Sequence, residues 1–224
     1  MIRLIIPAVA SLALLGLLLQ PIHSRLIGLV SALLALLLAV WLVALVRRLL
    51  RWVVVGLVLA LVPFALPGSP DEAEVHAGYL RILRSYAGTN YVWGGEGRLG
   101  IDCSGLPRCA MIGSLFSYGL RHLDGAALRR ACDLWWNDAS AREMLAGYGG
   151  RMTVLPEAYR INQLRDDVQP GDLAVTAGGV HVMVYLDRTT VIQADPGRDL
   201  VVVDALPATD SWYEQQVRLV RWQP

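Results

Sequence analysis

Hydrophobic residues are concentrated in the first third of the chain, where three apolar runs follow one another. The runs are Leu4–Leu19, Leu26–Val46 and Leu49–Leu66. The second is long enough to cross a bilayer alone, because about 20 apolar residues span the hydrocarbon core, and the other two lie near the short limit. The pattern therefore predicts a membrane anchor in residues 1–67, made of three transmembrane helices that contact the lipid bilayer.

The arginines of this anchor predict which side of the membrane the rest of the chain occupies. With a cytoplasmic N-terminus, Arg3 and the Arg47–Arg51 cluster lie inside and only Arg25 lies outside. Three spans then place everything after Pro67 on the periplasmic side of the bacterial inner membrane, whereas two spans would leave it in the cytoplasm. A signal peptide would also explain the first run, but no convincing small-residue cleavage site follows it.

From residue 68 onward the pattern is that of an ordinary soluble domain, in which helices precede strands. Apolar periodicity predicts helices over Asp71–Tyr86, Ser104–Phe116, Asp124–Trp136 and Asp138–Ala146. Short β-rich runs follow at Val168–Thr176, His181–Leu186, Thr190–Ala194, Leu200–Val203 and Val217–Trp222. Helices followed by consecutive strands predict an α+β fold with an antiparallel sheet.

Charge argues against a nucleic-acid partner. The chain has 20 basic residues other than histidine, all arginine, and five of them precede residue 68; all 19 acidic residues follow it. The domain is therefore mildly acidic, whereas an electrostatic nucleic-acid binder would be expected to show a basic excess.

The segment from Tyr91 to Leu106 carries the most information about chemistry. It places Cys103 behind an aromatic- and glycine-rich loop and directly before a predicted helix. A thiol in this position meets unpaired backbone N–H groups and the positive end of the helix dipole, which both favour the thiolate. We therefore expect Cys103 to be a nucleophile rather than a buried structural cysteine.

The remaining cysteines do not indicate a metal site. Cys103, Cys109, Cys132 and His122 lack the Cys-x-x-Cys spacing of a zinc knuckle, so neither a metal nor a cofactor is expected. Cys109 and Cys132 are predicted to be core thiols, with a disulfide between them as the alternative.

A cysteine nucleophile needs a histidine, and His181 has the most suitable setting. It follows Ala177–Val180 and opens an apolar run that is predicted to be a strand. Gln193 lies on the next predicted strand, which would pair antiparallel beside it. The Gln193 side-chain oxygen would then accept a hydrogen bond from the imidazole and orient the ring.

Four motifs in this order resemble the NlpC-type cell-wall cysteine peptidase superfamily, and the resemblance covers Asp71 to Pro224. They are Tyr91–Gly95 (YVWGG), Asp102–Leu106 (DCSGL), Gln169–Leu173 (QPGDL) and His181–Leu186 (HVMVYL). The resemblance implies a papain-like fold over residues 68–224, in which a helix that carries the cysteine packs on an antiparallel sheet that carries the histidine.

The resemblance also implies a role for each site residue. Cys103 would be the nucleophile, His181 the base and Gln193 the residue that orients the histidine, while Tyr91 would help to stabilise the oxyanion. Asp102 and Ser104 flank the nucleophile and are expected to contact substrate, although Asp102 equally suits a helix cap. Trp93 is a further expected substrate contact, with a core aromatic as the alternative.

Three features depart from the family pattern. Pro107 lies four residues after Cys103 and is expected to remove a helical hydrogen bond and bend the first turns. The long segment between Cys103 and His181 predicts an extra helical cap over residues 117–160. Gln193 is neutral, so it can orient an imidazolium but cannot stabilise its charge as a carboxylate would.

Together these features predict a membrane-anchored endopeptidase that cleaves peptidoglycan stem peptides, at γ-D-glutamyl–diamino acid or related links. One alternative is a catalytically weak membrane-tethered module that binds peptidoglycan or a partner protein. Another is an amidase or acyltransferase that uses the same Cys–His pair. Whether a membrane partner regulates the enzyme is left open.

Overall fold

The computed structural model describes residues 2–18, 25–209 and 211–223. The chain divides into two compact units, Met1–Val62 and Pro63–Pro224. The first unit contains helix α1, Ile2–Leu18, and most of helix α2, Arg25–Ala65. Among the described residues, one helix, Gly28–Ala65, is long and apolar enough to cross a membrane.

Helix α2 differs from the expected pair of separate spans. The Arg47–Arg51 cluster, predicted to be a connection, lies inside the continuous helix. The physical reason is that leucine and arginine are good helix formers and that neither Gly nor Pro interrupts the cluster. At about 1.5 Å per residue such a helix is about 60 Å long, roughly twice the thickness of the hydrocarbon core. The predicted connection between the first two runs falls almost entirely on residues 19–24, outside the described residues.

The second unit begins with helices that match the sequence prediction closely. They are α3 Glu72–Ser85, α4 Gly105–His122, α5 Gly125–Trp136 and α6 Ala141–Leu145, with a short hairpin, β1 Glu96–Gly97 and β2 Gly100–Ile101, before α4. Asp71 caps α3 by accepting hydrogen bonds from the backbone N–H groups of Ala73 and Glu74. Asp124 caps α5 in the same way through Ala127.

The strands form one six-stranded sheet in the order β3-β8-β4-β5-β6-β7, and every neighbouring pair is antiparallel. Their bounds are β3 Met152–Arg160, β4 Leu173–Thr176, β5 Val182–Asp187, β6 Thr190–Asp195, β7 Leu200–Ala205 and β8 Gln216–Trp222. The predicted α+β class with an antiparallel sheet is therefore confirmed.

The predicted helical cap over residues 117–160 is wrong at both ends. Residues 117–122 extend α4, and residues 152–160 form the edge strand β3, which the sequence did not indicate. Pro156 interrupts the β-pattern of this strand, and the pairing of β3 with β8 shifts between Val154 and Ala158. Proline is tolerated there because β3 lies at the edge of the sheet. The part between, α5, α6 and a 3-10 turn at Tyr148–Gly150, is helical as expected.

Apolar side chains pack on both faces of the central strands. Leu173, Val175 and Val184 face the core that α3 and α4 cover, and their neighbours Ala174 and Met183 face a second, smaller core. The Gln169–Leu173 motif stabilises the start of β4, because the buried Asp172 carboxylate accepts two hydrogen bonds of 2.7 Å from the Arg221 guanidinium on β8.

Candidate active site

The loop before α4 is stabilised by the Asp102 side chain. One carboxylate oxygen accepts from the backbone N–H groups of Ser104 and Gly105, at 3.0 and 2.6 Å, and from the Ser104 hydroxyl. The other oxygen accepts from the backbone N–H of Gly94 at 3.0 Å. Asp102 therefore caps the helix that follows Cys103 and also ties the glycine-rich loop to it.

The glycines of this loop allow close packing beside the nucleophile. A Cβ atom on Gly105 would lie 2.6 Å from the carbonyl oxygen of Gly95, which is shorter than any ordinary contact. The two backbone segments therefore touch directly, and they fix the position of Cys103 between them.

Pro107 does not have the expected effect on α4. The helix begins at Gly105, so Pro107 occupies its third position. The first N–H groups of a helix have no intrahelical partner, and a proline there costs no hydrogen bond. The expectation of a lost bond is wrong because Pro107 lies in the first turn, where a backbone N–H would have no intrahelical acceptor.

Cys103 is 8% exposed, and its Sγ atom lies 4.0 Å from the carbonyl oxygen of Val180, 77 residues away in sequence. Burial raises the pKa of the thiol to about 11, although the backbone N–H groups of Val182, Ser104 and Cys103 itself act to lower it. The backbone N–H groups therefore favour the thiolate as expected, but desolvation is the larger effect and raises the pKa overall.

His181, directly before β5, meets Gln193 on the neighbouring strand β6. His181 is 1% exposed, and its Nε2 atom lies 2.7 Å from the Oε1 atom of the buried Gln193. An amide oxygen can only accept, so Nε2 carries the hydrogen and the basic lone pair of the neutral ring lies on Nδ1. The Trp212 ring stacks on the imidazole, with 4.1 Å between the ring centroids.

The hydrogen-bond chain continues beyond Gln193. Its Nε2 atom donates to the Tyr213 hydroxyl at 2.8 Å, and that hydroxyl donates to the Asp204 carboxylate at 2.6 Å. Arg198 forms an ion pair with Asp204. Since an amide nitrogen donates and an amide oxygen accepts, Tyr213 orients Gln193 so that its oxygen faces His181.

A cleft of about 510 Å³ opens in front of Cys103. One side, which we term the motif wall, comes from residues 91–105 and includes five of the seven predicted site residues: Tyr91, Trp93, Asp102, Cys103 and Ser104. The opposite side, which we term the α6 wall, comes from residues 138–143. Burial raises the pKa of Tyr91 to about 12, so its hydroxyl stays protonated and can donate. Trp93 is 84% exposed, which excludes the core alternative.

With this geometry in place, the sequence match is informative. The family model described as the NlpC/P60 family matches residues 88–221, more than half of the chain. The chain belongs to the NlpC/P60 family. The match includes Cys103, His181 and Gln193, and it begins after α3.

Individual relatives are more distant. Dipeptidyl-peptidase 6 of Lysinibacillus sphaericus is 31% identical over 148 residues, which are 66% of this chain and 42% of that protein. The peptidoglycan hydrolase RipB of Mycobacterium tuberculosis is 19% identical, with a TM-score of 0.40 over 65% of this chain and 64% of that one. NlpC1 of Trichomonas vaginalis is 18% identical, with a TM-score of 0.45 over 71% and 47% of the two chains. The family assignment rests on the sequence match, not on these low structural scores.

In this NlpC/P60 chain, Arg108 joins the two walls of the cleft. Its side chain is 1% exposed and forms ion pairs with Glu96 on the motif wall and with Asp138 on the α6 wall. It also donates to the carbonyl oxygen of Leu134 at 3.0 Å. Sequence reasoning missed this residue, although a single arginine within the apolar run after Cys103 was a signal.

Sequence reasoning also missed Trp212, Tyr213 and Asp204. Trp212 and Tyr213 lie in a 3-10 turn, Ser211–Glu214, between two strands, where no periodicity marks a site. Cys109 and Cys132 do not line the cleft. All three cysteines are free, and Cys132 is exposed, so the expectation that it is a core thiol is wrong. Within the described ranges, no three His, Cys, Asp or Glu side chains are grouped to hold a metal ion.

Proposed function

We propose that this chain is a membrane-anchored cysteine peptidase that hydrolyses amide bonds in peptidoglycan stem peptides. The observation that carries the proposal is the 2.7 Å contact between His181 and Gln193, with the adjoining Val180 carbonyl against the Cys103 thiol in an open cleft. Membership of the NlpC/P60 family and the peptidase and hydrolase names of its relatives support the same chemistry.

The reaction is acyl transfer through a thioester. His181 Nδ1 takes the proton of the Cys103 thiol as the sulfur attacks the amide carbonyl carbon. The backbone N–H of Cys103 and the Tyr91 hydroxyl donate to the oxyanion, and removal of one such donor typically costs about 3 kcal/mol of transition-state stabilisation. The imidazolium then protonates the leaving amine. Water attacks the thioester, and His181 accepts its proton and returns one to the sulfur.

The raised thiol pKa gives His181 a larger part in this mechanism. A buried thiol with a pKa of about 11 is protonated at neutral pH, so the histidine must create the nucleophile as well as protonate the leaving group. Gln193 orients the ring for both steps. The arrangement of a cysteine before a helix and a histidine on an antiparallel sheet is papain-like.

The scissile bond that we propose is a γ-D-glutamyl–diamino acid link or a related bond in the stem peptide. Asp102 and Ser104 flank the nucleophile, and Trp93 offers an exposed aromatic surface at the mouth of the cleft. Because Asp102 already accepts several hydrogen bonds from the loop, Ser104 and Trp93 are the better candidates for substrate contacts.

Digestion of purified peptidoglycan by the full chain in detergent tests the proposal. We expect released stem-peptide fragments, identified by mass spectrometry, with the wild type and not with Cys103→Ala or His181→Ala. Cys132→Ala, which removes an exposed thiol outside the cleft, is the matched control and should remain active. Peptidoglycan that binds but is never cleaved would indicate a binding module, and products that lack the whole stem would indicate an amidase.

We propose that the N-terminal unit anchors the enzyme in the bacterial inner membrane, with the catalytic domain on the periplasmic side, where its substrate lies. The apolar helix α2 supports the anchor. A C-terminal alkaline phosphatase fusion should be active in cells, because this reporter needs the periplasm; an inactive fusion that is stably produced would place the domain in the cytoplasm.

A further inference from the structure

The α6 wall brings a cationic side chain to the cleft. Arg142 lies in the first turn of α6, is exposed and lines the cleft. Its backbone packs against Gly179, where φ is +64° and a Cβ atom would lie 2.8 Å from the Cα atom of Arg142. Gly179 precedes Val180, whose carbonyl contacts the Cys103 thiol. The residue that contacts the backbone of Arg142 and the residue that contacts the nucleophile are therefore adjacent in the chain.

The carboxylates that line the cleft are all bound within the protein. Glu96 and Asp138 share Arg108, Asp102 accepts from loop N–H groups, and Glu143 accepts from the backbone N–H of Ser140. Arg142 differs from them. Within the described part of the chain, its guanidinium forms neither a hydrogen bond nor an ion pair, so its donors are available at the cleft.

We propose that Arg142 forms a subsite for a carboxylate of the substrate, next to the scissile amide. The guanidinium is planar and always charged, and it presents paired donors that match a carboxylate. A glutamyl residue joined through its γ-carboxyl group keeps a free α-carboxylate near the reacting carbonyl, which is a group of the required kind. This subsite rests on the proposed function, and it makes the α6 wall a determinant of specificity.

The proposal predicts discrimination between two peptides that differ in one group. One peptide carries a γ-glutamyl amide with the free α-carboxylate, and the other carries the same amide with an α-carboxamide. We expect the wild-type full chain to prefer the acid by about 10- to 100-fold in kcat/KM, as loss of a charge-assisted hydrogen bond typically implies. Arg142→Gln should reduce this ratio to about one, and Arg142→Lys, which keeps the charge without the fork, should keep part of it.

Arg188→Gln is the matched control, because it removes an exposed arginine in the turn between β5 and β6, outside the cleft. It should keep the wild-type ratio. An unchanged ratio in Arg142→Gln, or a wild type that cleaves both peptides equally, would overturn the proposal. If the wild type cleaves neither peptide, the proposed function fails, and calorimetric binding to the Cys103→Ala full chain then decides the subsite. Tighter binding of the acid that is lost in Cys103→Ala/Arg142→Gln supports it, and equal binding of the two peptides refutes it.

Discussion

The motif wall and the α6 wall face the same cleft but are built in different ways. In the motif wall the Asp102 carboxylate is bonded to Gly94, Ser104 and Gly105, so the loop and the helix start form one unit. The α6 wall reaches the cleft through a short helix of five residues. It packs on the rest of the site through the buried Ala139 and Ala141, a contact with Gly179, and the ion pair between Asp138 and Arg108.

This difference separates two tasks. In the proposed mechanism, the motif wall and the sheet behind it hold the groups that would act on every substrate: the thiol, the imidazole and the amide that orients it. The α6 wall holds no such group, but it contributes the charge of Arg142, which no side chain among the described residues pairs. Substitutions in the motif wall and the sheet should therefore change the rate for all substrates, whereas substitutions in the α6 wall should change which substrate is preferred.

The largest expected effect concerns the partnership of Cys103 and His181. Alkylation of Cys103 by iodoacetamide, followed from pH 5 to 11 in a Cys109→Ser/Cys132→Ser background, reports the thiolate, because the thiolate is the reactive form. Burial raises the pKa of the Cys103 thiol to about 11, so reaction at neutral pH depends on His181 accepting the thiol proton as the sulfur attacks. In His181→Ala this assistance is lost, and the rate at pH 7 should fall by about 100-fold, the lower end of what a general base typically contributes, and recover as the pH rises towards 11.

His76→Ala is the control for this experiment. His76 lies on α3, where it contacts the carbonyl oxygen of Pro170 at 2.7 Å, outside the cleft. Its removal should leave the alkylation profile of Cys103 as in the wild type. If His181→Ala reacts at pH 7 as fast as the wild type, the motif wall alone activates the thiol, and the division of tasks between wall and sheet is wrong.

The next effect concerns the connection between the walls. Arg108→Met keeps much of the buried volume but removes the charge that pairs with Glu96 and Asp138. We expect the free energy of unfolding of the domain to fall by about 2 kcal/mol, because the Leu134 carbonyl oxygen loses a charged donor while Glu96 and Asp138 lose their partner but stay in contact with solvent. Denaturant unfolding of the full chain, followed by tryptophan fluorescence, measures this change.

Arg188→Met provides the comparison, since Arg188 pairs with Asp166 at the surface and such pairs contribute about 1 kcal/mol or less. Equal losses in the two variants would mean that Arg108 does not stabilise the contact between the walls. A larger loss in Arg108→Met, together with a weaker preference between the two peptides, would show that the α6 wall acts only when it is held in place.

The sequence predicted the motif wall and the sheet well for a physical reason. Catalysis demands particular residue types at fixed spacings, so Cys103 before a helix and His181 opening a strand are visible without a structure. Their partner Gln193 followed from the expected pairing of adjacent strands, and the α+β class followed from the order of helices and strands. The roles of these residues remain predictions until the variants are tested.

The parts that the sequence did not reveal depend on contacts distant in the chain. The ion pair between Arg108 and Asp138 forms only when α5 and α6 fold back on α4, and no local pattern indicates it. Strand β3 was not predicted because Pro156 interrupts the alternating pattern typical of a strand. The continuity of α2 was not predicted because a cluster of arginines between two apolar runs is typical of a connection between helices. The raised pKa of the Cys103 thiol could not be predicted, because it depends on the burial of the site and the motif does not specify that burial.

The smallest expected effect tests whether Tyr213, beyond Gln193, helps to position His181. Tyr213 is fully buried, and its hydroxyl links Gln193 to Asp204. Tyr213→Phe should lower kcat by about 5- to 10-fold, roughly the net value of one hydrogen bond, while KM stays close to the wild-type value because the cleft lining is unchanged. The pH profile of kcat should shift as well, since the orientation of Gln193 changes how well the imidazolium is stabilised.

Tyr159→Phe is the matched control, because Tyr159 is also buried behind the sheet and its hydroxyl donates to Tyr185 rather than to the Gln193 chain. Both variants lose one buried hydroxyl and should lose similar stability. Only Tyr213→Phe should change kcat and its pH profile. If the two variants have the same kinetics, Gln193 orients His181 without help from Tyr213. Only Gln193 on β6, and not the hydrogen bonds beyond it, would then position the base.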